Sequence, residues 1–161
     1  MDTNIKIVIG SDKSGYPLRT EIEKHLAELG IETIVYGPSN ADEAVPFYEV
    51  APLAAKDIQD GNADLGILIC GTGMGMSQVA NKFKGVRAAV VENAYSAKMC
   101  KVINDSNILC MGGWMIAPTL GITMVDEFLN AGFTVGVEEW RKEWLSNAKV
   151  KFGELEDKIY G

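Results

Sequence analysis

Short β-branched runs alternate with amphipathic stretches along most of this chain, and that alternation constrains its fold more than any other feature. Ile5-Lys6-Ile7-Val8-Ile9 reads as a strand, after which Leu18, Ile22, Leu26 and Leu29 recur at helical spacing. The pattern repeats with strands expected over 32–36, 65–70, 87–91 and 108–111, and helices over 48–59, 74–82, 96–103 and 118–130. Strands apolar on both faces and separated by helices belong in a parallel sheet covered on both sides, with right-handed crossovers. The expected fold class is therefore α/β: a three-layer α/β/α sandwich on a five-stranded parallel sheet. At 161 residues the chain is long enough for one domain with a full core and short for two. One domain over 1–161 is expected, with 132–161 a C-terminal helical extension. Trp140, Arg141, Trp144, Val150, Phe152 and Leu155 put large apolar groups on this charged tail. A partner subunit is the economical home for whatever the domain itself leaves uncovered.

Open parallel sheets bind ligands beyond the carboxyl ends of their strands. That rule collects Gly10-Ser11-Asp12-Lys13-Ser14-Gly15, Gly37-Pro38-Ser39, Cys70-Gly71-Thr72-Gly73-Met74-Gly75-Met76, Glu92-Asn93 and Gly112-Gly113-Trp114. The cysteine loop is the most specific of them. Glycines at alternate positions let successive N–H groups converge on one anionic oxygen, and the helix that follows adds its positive end. A thiolate facing such a cradle supplies the parts of an enolisation site: Cys70 as base, and Gly71, Gly73, Met74 and Gly75 as the oxyanion cradle. The plainer reading makes Cys70 a small buried hydrophobe and the loop simply a tight turn. Asp12 beside Lys13 can orient sugar hydroxyls and attract an anion, although a turn cap and a surface pair account for them equally well.

The balance of 22 acidic against 15 basic residues, a formal charge of −7 with the cations scattered, argues against nucleic acid and anionic membranes as partners. No apolar run approaches the roughly 20 residues of a membrane span, and Met1-Asp2-Thr3-Asn4 leads into a strand without a signal pattern, so a cytoplasmic location is expected. Cys70, Cys100 and Cys110 have neither metal-ligand spacing nor an even-count disulfide framework, so no metal site and no cofactor are expected. The sole histidine, His25, lies among Glu21, Glu23, Lys24 and Glu28 and reads as a solvated surface residue. A dinucleotide site, with Glu92 on a ribose, fits poorly: the glycines run Gly-x-Gly-x-Gly and follow the third strand rather than the first.

Ile9-Gly10-Ser11-Asp12, the run Ala-Asp-Leu-Gly-Ile-Leu-Ile-Cys-Gly-Thr-Gly-Met-Gly-Met-Ser at 63–77, Ala80-Asn81-Lys82 and Asn104-Asp105 resemble the ribose-5-phosphate isomerase B family, which also contains the galactose-6-phosphate isomerase subunits. The resemblance runs in unbroken order from about residue 5 to about residue 133. It implies metal-free aldose–ketose isomerisation through a cis-enediolate in a Rossmann-like homodimer, with each active site between subunits. Cys70 matches the base, Thr72 and the 71–75 backbone match the oxyanion loop, and Asp12 and Asn104 match positions that bind sugar hydroxyls.

The departures from the family pattern bear on the substrate. Lys13 and Ile103 stand where the family has histidines, the second of which opens the sugar ring; Ala44-Val45-Pro46 replaces Asp-Tyr-Pro. Trp114 replaces an arginine, and Val135-Gly136-Val137-Glu138 replaces Gly-Gly-Arg-His, leaving Lys13, Arg141 and Lys142 as the cations of a rebuilt anion site. Trp114 and Arg141 thus join Asp12, Lys13 and Asn104 as candidate substrate-binding residues. The expected ligand is a sugar or sugar phosphate other than ribose 5-phosphate, one too short to cyclise being the first choice. An unphosphorylated or differently charged sugar, with Trp114 as a stacking face, and a non-catalytic sugar-phosphate-binding partner subunit are the alternatives.

Overall fold

Each of the apolar runs becomes a strand in the computed structural model, which describes residues 1–161. In chain order the elements are β1 (Lys6–Ser11), α1 (Tyr16–Glu28), β2 (Glu32–Tyr36), α2 (Phe47–Asp60), β3 (Leu65–Cys70), α3 (Met74–Ala80), β4 (Ala88–Val90), α4 (Ala94–Asn104), β5 (Ile108–Gly112), α5 (Pro118–Asn130) and α6 (Glu139–Tyr160). All five strands are parallel, in the order β2-β1-β3-β5-β4. The central strands carry unbroken apolar runs because both of their faces are covered. Ile7, Ile9, Ile67, Ile69, Leu109 and Met111 pack with α1, α4 and α5. Val8, Leu68, Ile108 and Cys110 point the other way, under α2 and α3. This is the expected α/β/α sandwich.

Local chemistry moves several boundaries outward from the apolar runs. α1 begins at Tyr16 rather than Leu18 because Pro17 sits in the first turn, where a missing N–H costs nothing. α4 begins at Ala94 because Asn93 Oδ1 accepts the Ser96 N–H at 2.8 Å and caps the helix. His25 is not a solvated residue: its side chain is 20% exposed and Nε2 lies 2.7 Å from Asp126 Oδ1. The reason is tertiary, since α1 and α5 pack side by side over one face of the sheet. No helix is long and apolar enough to cross a membrane.

The strand order places the functional crevice. From β1 the chain steps outward to β2, then crosses back to β3 on the opposite face. The loops leaving β1 and β3 diverge to opposite sides of the sheet, and the gap between their strand ends is where such sheets hold ligands.

The tail folds as one 22-residue helix, α6, about 33 Å long. Leu145 is its only buried residue, while Trp140, Trp144, Phe152, Leu155 and Ile159 remain exposed. Polar contacts hold it: Gly85 N–H donates to Glu156 at 2.5 Å, Lys84 pairs with Asp157 at 2.8 Å, and Lys149 Nζ reaches Asp105 at 2.5 Å. Between α6 and the domain lies a cavity of about 790 Å³ lined by Val86, Ala88, Ile103, Trp144, Phe152 and Ile159, among others.

Asp105 is the electrostatic hinge of this arrangement, accepting also from Lys101 at 2.8 Å and Arg87 at 3.2 Å. Burial alone would raise its carboxyl, but the hydrogen bonds and charges of Lys101 and Lys149 outweigh burial and hold it below the usual carboxylate range. A depressed carboxyl contributes stability that is present above its unfolded value and lost as the pH falls through the folded one. Its φ of 49° is left-handed, a conformation asparagine tolerates, so Asp105→Asn removes charge without adding backbone strain. That variant is expected to lose about 2 kcal/mol at neutral pH. Denaturation of the two proteins from pH 7 to pH 3 checks the sign, because the gap should close on acidification.

Candidate active site

Three loops meet at the carboxyl ends of β1, β3 and β5, drawn together by backbone hydrogen bonds. Asp12 N–H donates to the Ile69 carbonyl at 3.2 Å, Gly113 N–H to the Cys70 carbonyl at 2.7 Å, and Trp114 N–H to the Gly71 carbonyl at 3.1 Å. Close approach requires glycines in two places. Gly73 has φ 79°, and a Cβ there would come within 2.8 Å of the Met111 backbone; a Cβ on Gly71 would come within 2.7 Å of the Trp114 indole. The indole therefore lies against the loop with its other surface open to solvent, and Trp114 is 72% exposed. On the far side the ring of Phe47 packs against Gly75.

Cys70 ends β3 and is 5% exposed. Its Sγ accepts the Gly73 N–H at 3.1 Å, so the loop curls back over the thiol. The other two cysteines lie away from the loop. Burial pushes the Cys110 thiol far above its ordinary range and also raises that of Cys100, whose Sγ points at the Ala97 carbonyl. Of the cradle, the Gly73 N–H is spent on Cys70, and the Met74 N–H on Thr72 Oγ1 at 3.3 Å. The half-buried Thr72 and Gly75 N–H groups have no acceptor in the chain. Because Thr72 Oγ1 accepts here, its own hydroxyl proton is free to be donated.

Asp12 and Lys13 lie beside this loop and, with Ala44, Val45 and Pro46, line a recess of about 210 Å³. Asp12 Oδ1 accepts the Gly15 N–H at 2.9 Å, so one carboxylate oxygen caps the turn. Lys13 Nζ makes a single 3.4 Å contact with the Asp42 carbonyl and is otherwise exposed. The larger cavity under α6 is a different place. Asn104, which lines it, ends α4 just before β5 begins, at the opposite end of the strands from Cys70, about 16 Å away along a five-residue strand. Arg141, early in α6, pairs with Glu138 at 3.6 Å and stacks on Trp140. One chain thus gathers Cys70, the glycine loop, Thr72, Asp12, Lys13 and Trp114, and leaves Asn104 and Arg141 elsewhere. Glu92 follows the edge strand β4, with β5 between it and β3, which removes the dinucleotide geometry. No three His, Cys, Asp or Glu side chains converge in a metal-binding group.

Sequence reasoning missed Phe47 and Arg19. Arg19 had a signal: it sits one residue from Leu18 and at i, i+3, i+7 with Ile22 and Leu26, a cation on the apolar face of α1.

A thiol and a hydroxyl beside free amides at the switch point of an open parallel sheet define the class, an α/β enzyme equipped to move protons on a carbon acid. Residues 7–143 match the model of the Ribose/Galactose Isomerase family. The chain is 52% identical over 156 residues to the 4-deoxy-4-sulfo-D-erythrose isomerase of Clostridium sp. (strain MSTE9), covering 97% of this chain and 98% of that protein. It is 39% identical over 147 residues to the ribose-5-P isomerase B of Listeria innocua, covering 91% and 99%. The solved structure of Clostridium thermocellum ribose-5-phosphate isomerase B superposes with a TM-score of 0.87 at 38% identity, covering 96% of this chain and 99% of that one. The chain belongs to the ribose-5-phosphate isomerase B and galactose isomerase family, and it is an aldose–ketose isomerase.

Proposed function

We propose that this protein interconverts a four-carbon aldose and its ketose, the substrate carrying a terminal sulfonate. The observation that carries this reading is the 52% identity to a sulfo-erythrose isomerase across nearly the whole of both chains. Substrate chemistry supports it. A four-carbon aldose whose C4 bears sulfonate has no 4-hydroxyl, so it cannot close a furanose ring and needs no ring-opening acid. Ile103 offers none. A sulfonate also carries one negative charge where a phosphate carries nearly two, and the recess at the end of β1 holds one ammonium, Lys13, and no arginine fork.

In this reading the Cys70 thiolate removes the C2 proton of the aldose. The electrons move onto O1, where the Thr72 and Gly75 amides hold the enediolate. The Thr72 hydroxyl relays a proton from O2 to O1, and the Cys70 thiol returns its proton to C1. Asp12 orients hydroxyls with its uncapped oxygen, Trp114 walls the site, and Lys13 holds the sulfonate. Turnover of 4-sulfo and 4-phospho tetroses against ribose 5-phosphate tests it; ribose 5-phosphate as the best substrate would sink it.

The same reading makes the enzyme a homodimer with Asn104 and Arg141 reaching the partner's site. The apolar face of α6 and the groove beneath it support this, because they leave tryptophan and phenylalanine surface that a second copy can cover. Sedimentation should show a dimer at micromolar concentration, and truncation after Ala131 should abolish both the dimer and turnover. A soluble, active, truncated monomer contradicts it.

A further inference from the structure

Arg19 is a buried cation that touches none of the proposed catalytic or substrate-binding side chains, yet four of its five N–H groups are engaged. Its side chain is 4% exposed. Nε donates to Glu23 Oε1 at 2.6 Å, one terminal nitrogen to Ser11 Oγ at 3.2 Å and the Tyr36 carbonyl at 2.9 Å, and the other to the Pro38 carbonyl at 2.6 Å. The plane also lies over the Tyr16 ring, 5.0 Å from its centroid. Two of these acceptors bracket Gly37, the start of the 37–46 segment between β2 and α2. At Gly37, with φ 107°, a Cβ would clash with the Ser11 carbonyl oxygen and stand 2.9 Å from the guanidinium. The far end of the segment, Ala44 to Pro46, is the wall that faces Asp12 and Lys13, and Phe47 then packs on Gly75 of the cradle.

Between those ends the segment has little else to hold it. Glu43 closes it on itself by accepting from the Ser39 N–H at 2.6 Å and the Ser39 hydroxyl at 2.8 Å. The Ser39 backbone and side-chain hydrogen bonds, aided by the Arg19 charge, hold the Glu43 carboxyl below its ordinary range. Outside it, Tyr16 hydroxyl to the Ser39 carbonyl and Lys13 to the Asp42 carbonyl are both long, at 3.4 Å. Of residues 37–43 only Pro38, whose carbonyl accepts from Arg19, is buried. At the far end Val45 and Phe47 pack against the α2/α3 core, so Arg19 is the main anchor of the near end of the segment.

We infer that Arg19 is a positioning residue for the substrate site: it holds the 37–46 segment so that Ala44–Pro46 close the recess beside Asp12 and Lys13. The task suits arginine. The planar fork offers five N–H groups in fixed directions and serves four acceptors at once, where a lysine ammonium cannot span the same acceptors from one point. The inference rests on the proposed reading of where the substrate lies, and its test includes an arm that does not.

Full-length wild type, Arg19→Met, Arg19→Lys and Glu23→Gln are compared by amide hydrogen exchange and by kinetics at a temperature where circular dichroism shows each folded. Arg19→Met is expected to speed exchange of the 37–46 amides at least tenfold and leave those of 65–76 unchanged. Arg19→Lys, the gentler variant should Arg19→Met fail to fold, falls between. Glu23→Gln removes a charge on the helix side only and should leave the segment protected. With the 4-sulfo and 4-phospho tetroses, both Arg19 variants should raise KM about tenfold with kcat within threefold, a split that a general loss of stability does not produce. Unchanged exchange in both Arg19 variants overturns the inference whatever the substrate proves to be, and so does faster exchange with unchanged KM. If wild type turns over neither tetrose, the substrate reading fails by itself, and the exchange arm alone decides the role of Arg19.

Discussion

Cys70→Ala is expected to leave the fold intact and lower kcat by about 10²–10⁴-fold, the usual worth of a positioned general base. The loss should fall on kcat rather than KM, because the thiol meets the carbon acid only as its proton leaves. The geometry explains why no neighbour substitutes for it. Cys110 lies on the adjacent strand in the α2/α3 core and Cys100 lies in the core on the other face, with burial raising both thiols. Stability should change by about 1 kcal/mol or less, since a single sulfur is lost at the end of a strand. The same variant should still bind the tetrose, which equilibrium titration can show. Near-normal turnover in Cys70→Ala would falsify the assignment.

The second large effect concerns substrate. A 4-sulfo or 4-phospho tetrose is expected to exceed ribose 5-phosphate in kcat/KM by about 10²-fold or more, the size of one missing acid–base contribution. Ribose 5-phosphate is mostly a ring in water, and in the proposed mechanism only its open form would present the carbonyl to Cys70. In the proposed dimer the end of α4 would face the partner's site, and Ile103 there has no proton to exchange with the ring. In the proposed site Trp114, whose indole lies against Gly71, would bound the space open to a five-carbon chain. Ile103→His should narrow the gap for ribose 5-phosphate and leave the tetroses unaffected. Lys13→Ala should raise KM for both charged tetroses, because an ammonium contact is lost in each. Between the two tetroses, a lead for the phosphate keeps the open-chain argument and moves the terminal group from sulfonate to phosphate. Equal efficiency on ribose 5-phosphate and the tetroses would show that Ile103 and Trp114 are silent.

Much of this was legible from residue order. The period of the apolar runs determined five strands and their helices, because a strand buried on both faces cannot tolerate polar positions, and β1, β3 and β5 have none in their cores. The glycine spacing after Cys70 likewise determined a tight loop over the thiol, since a Cβ at position 73, where φ is 79°, would come within 2.8 Å of the Met111 backbone. The order of the strands was not legible, and it alone puts the loops after β1, β3 and β5 side by side. Nor could local pattern place His25 against Asp126, 101 residues away, or turn Arg19 inward to hold a segment 17 to 19 residues on. Asn104 and Asp105 are adjacent in sequence, yet one faces an open groove while the other disappears among three cations. Periodicity reports which side of an element is buried; which partner buries it is decided by packing between distant elements, and that information exists only in the folded chain.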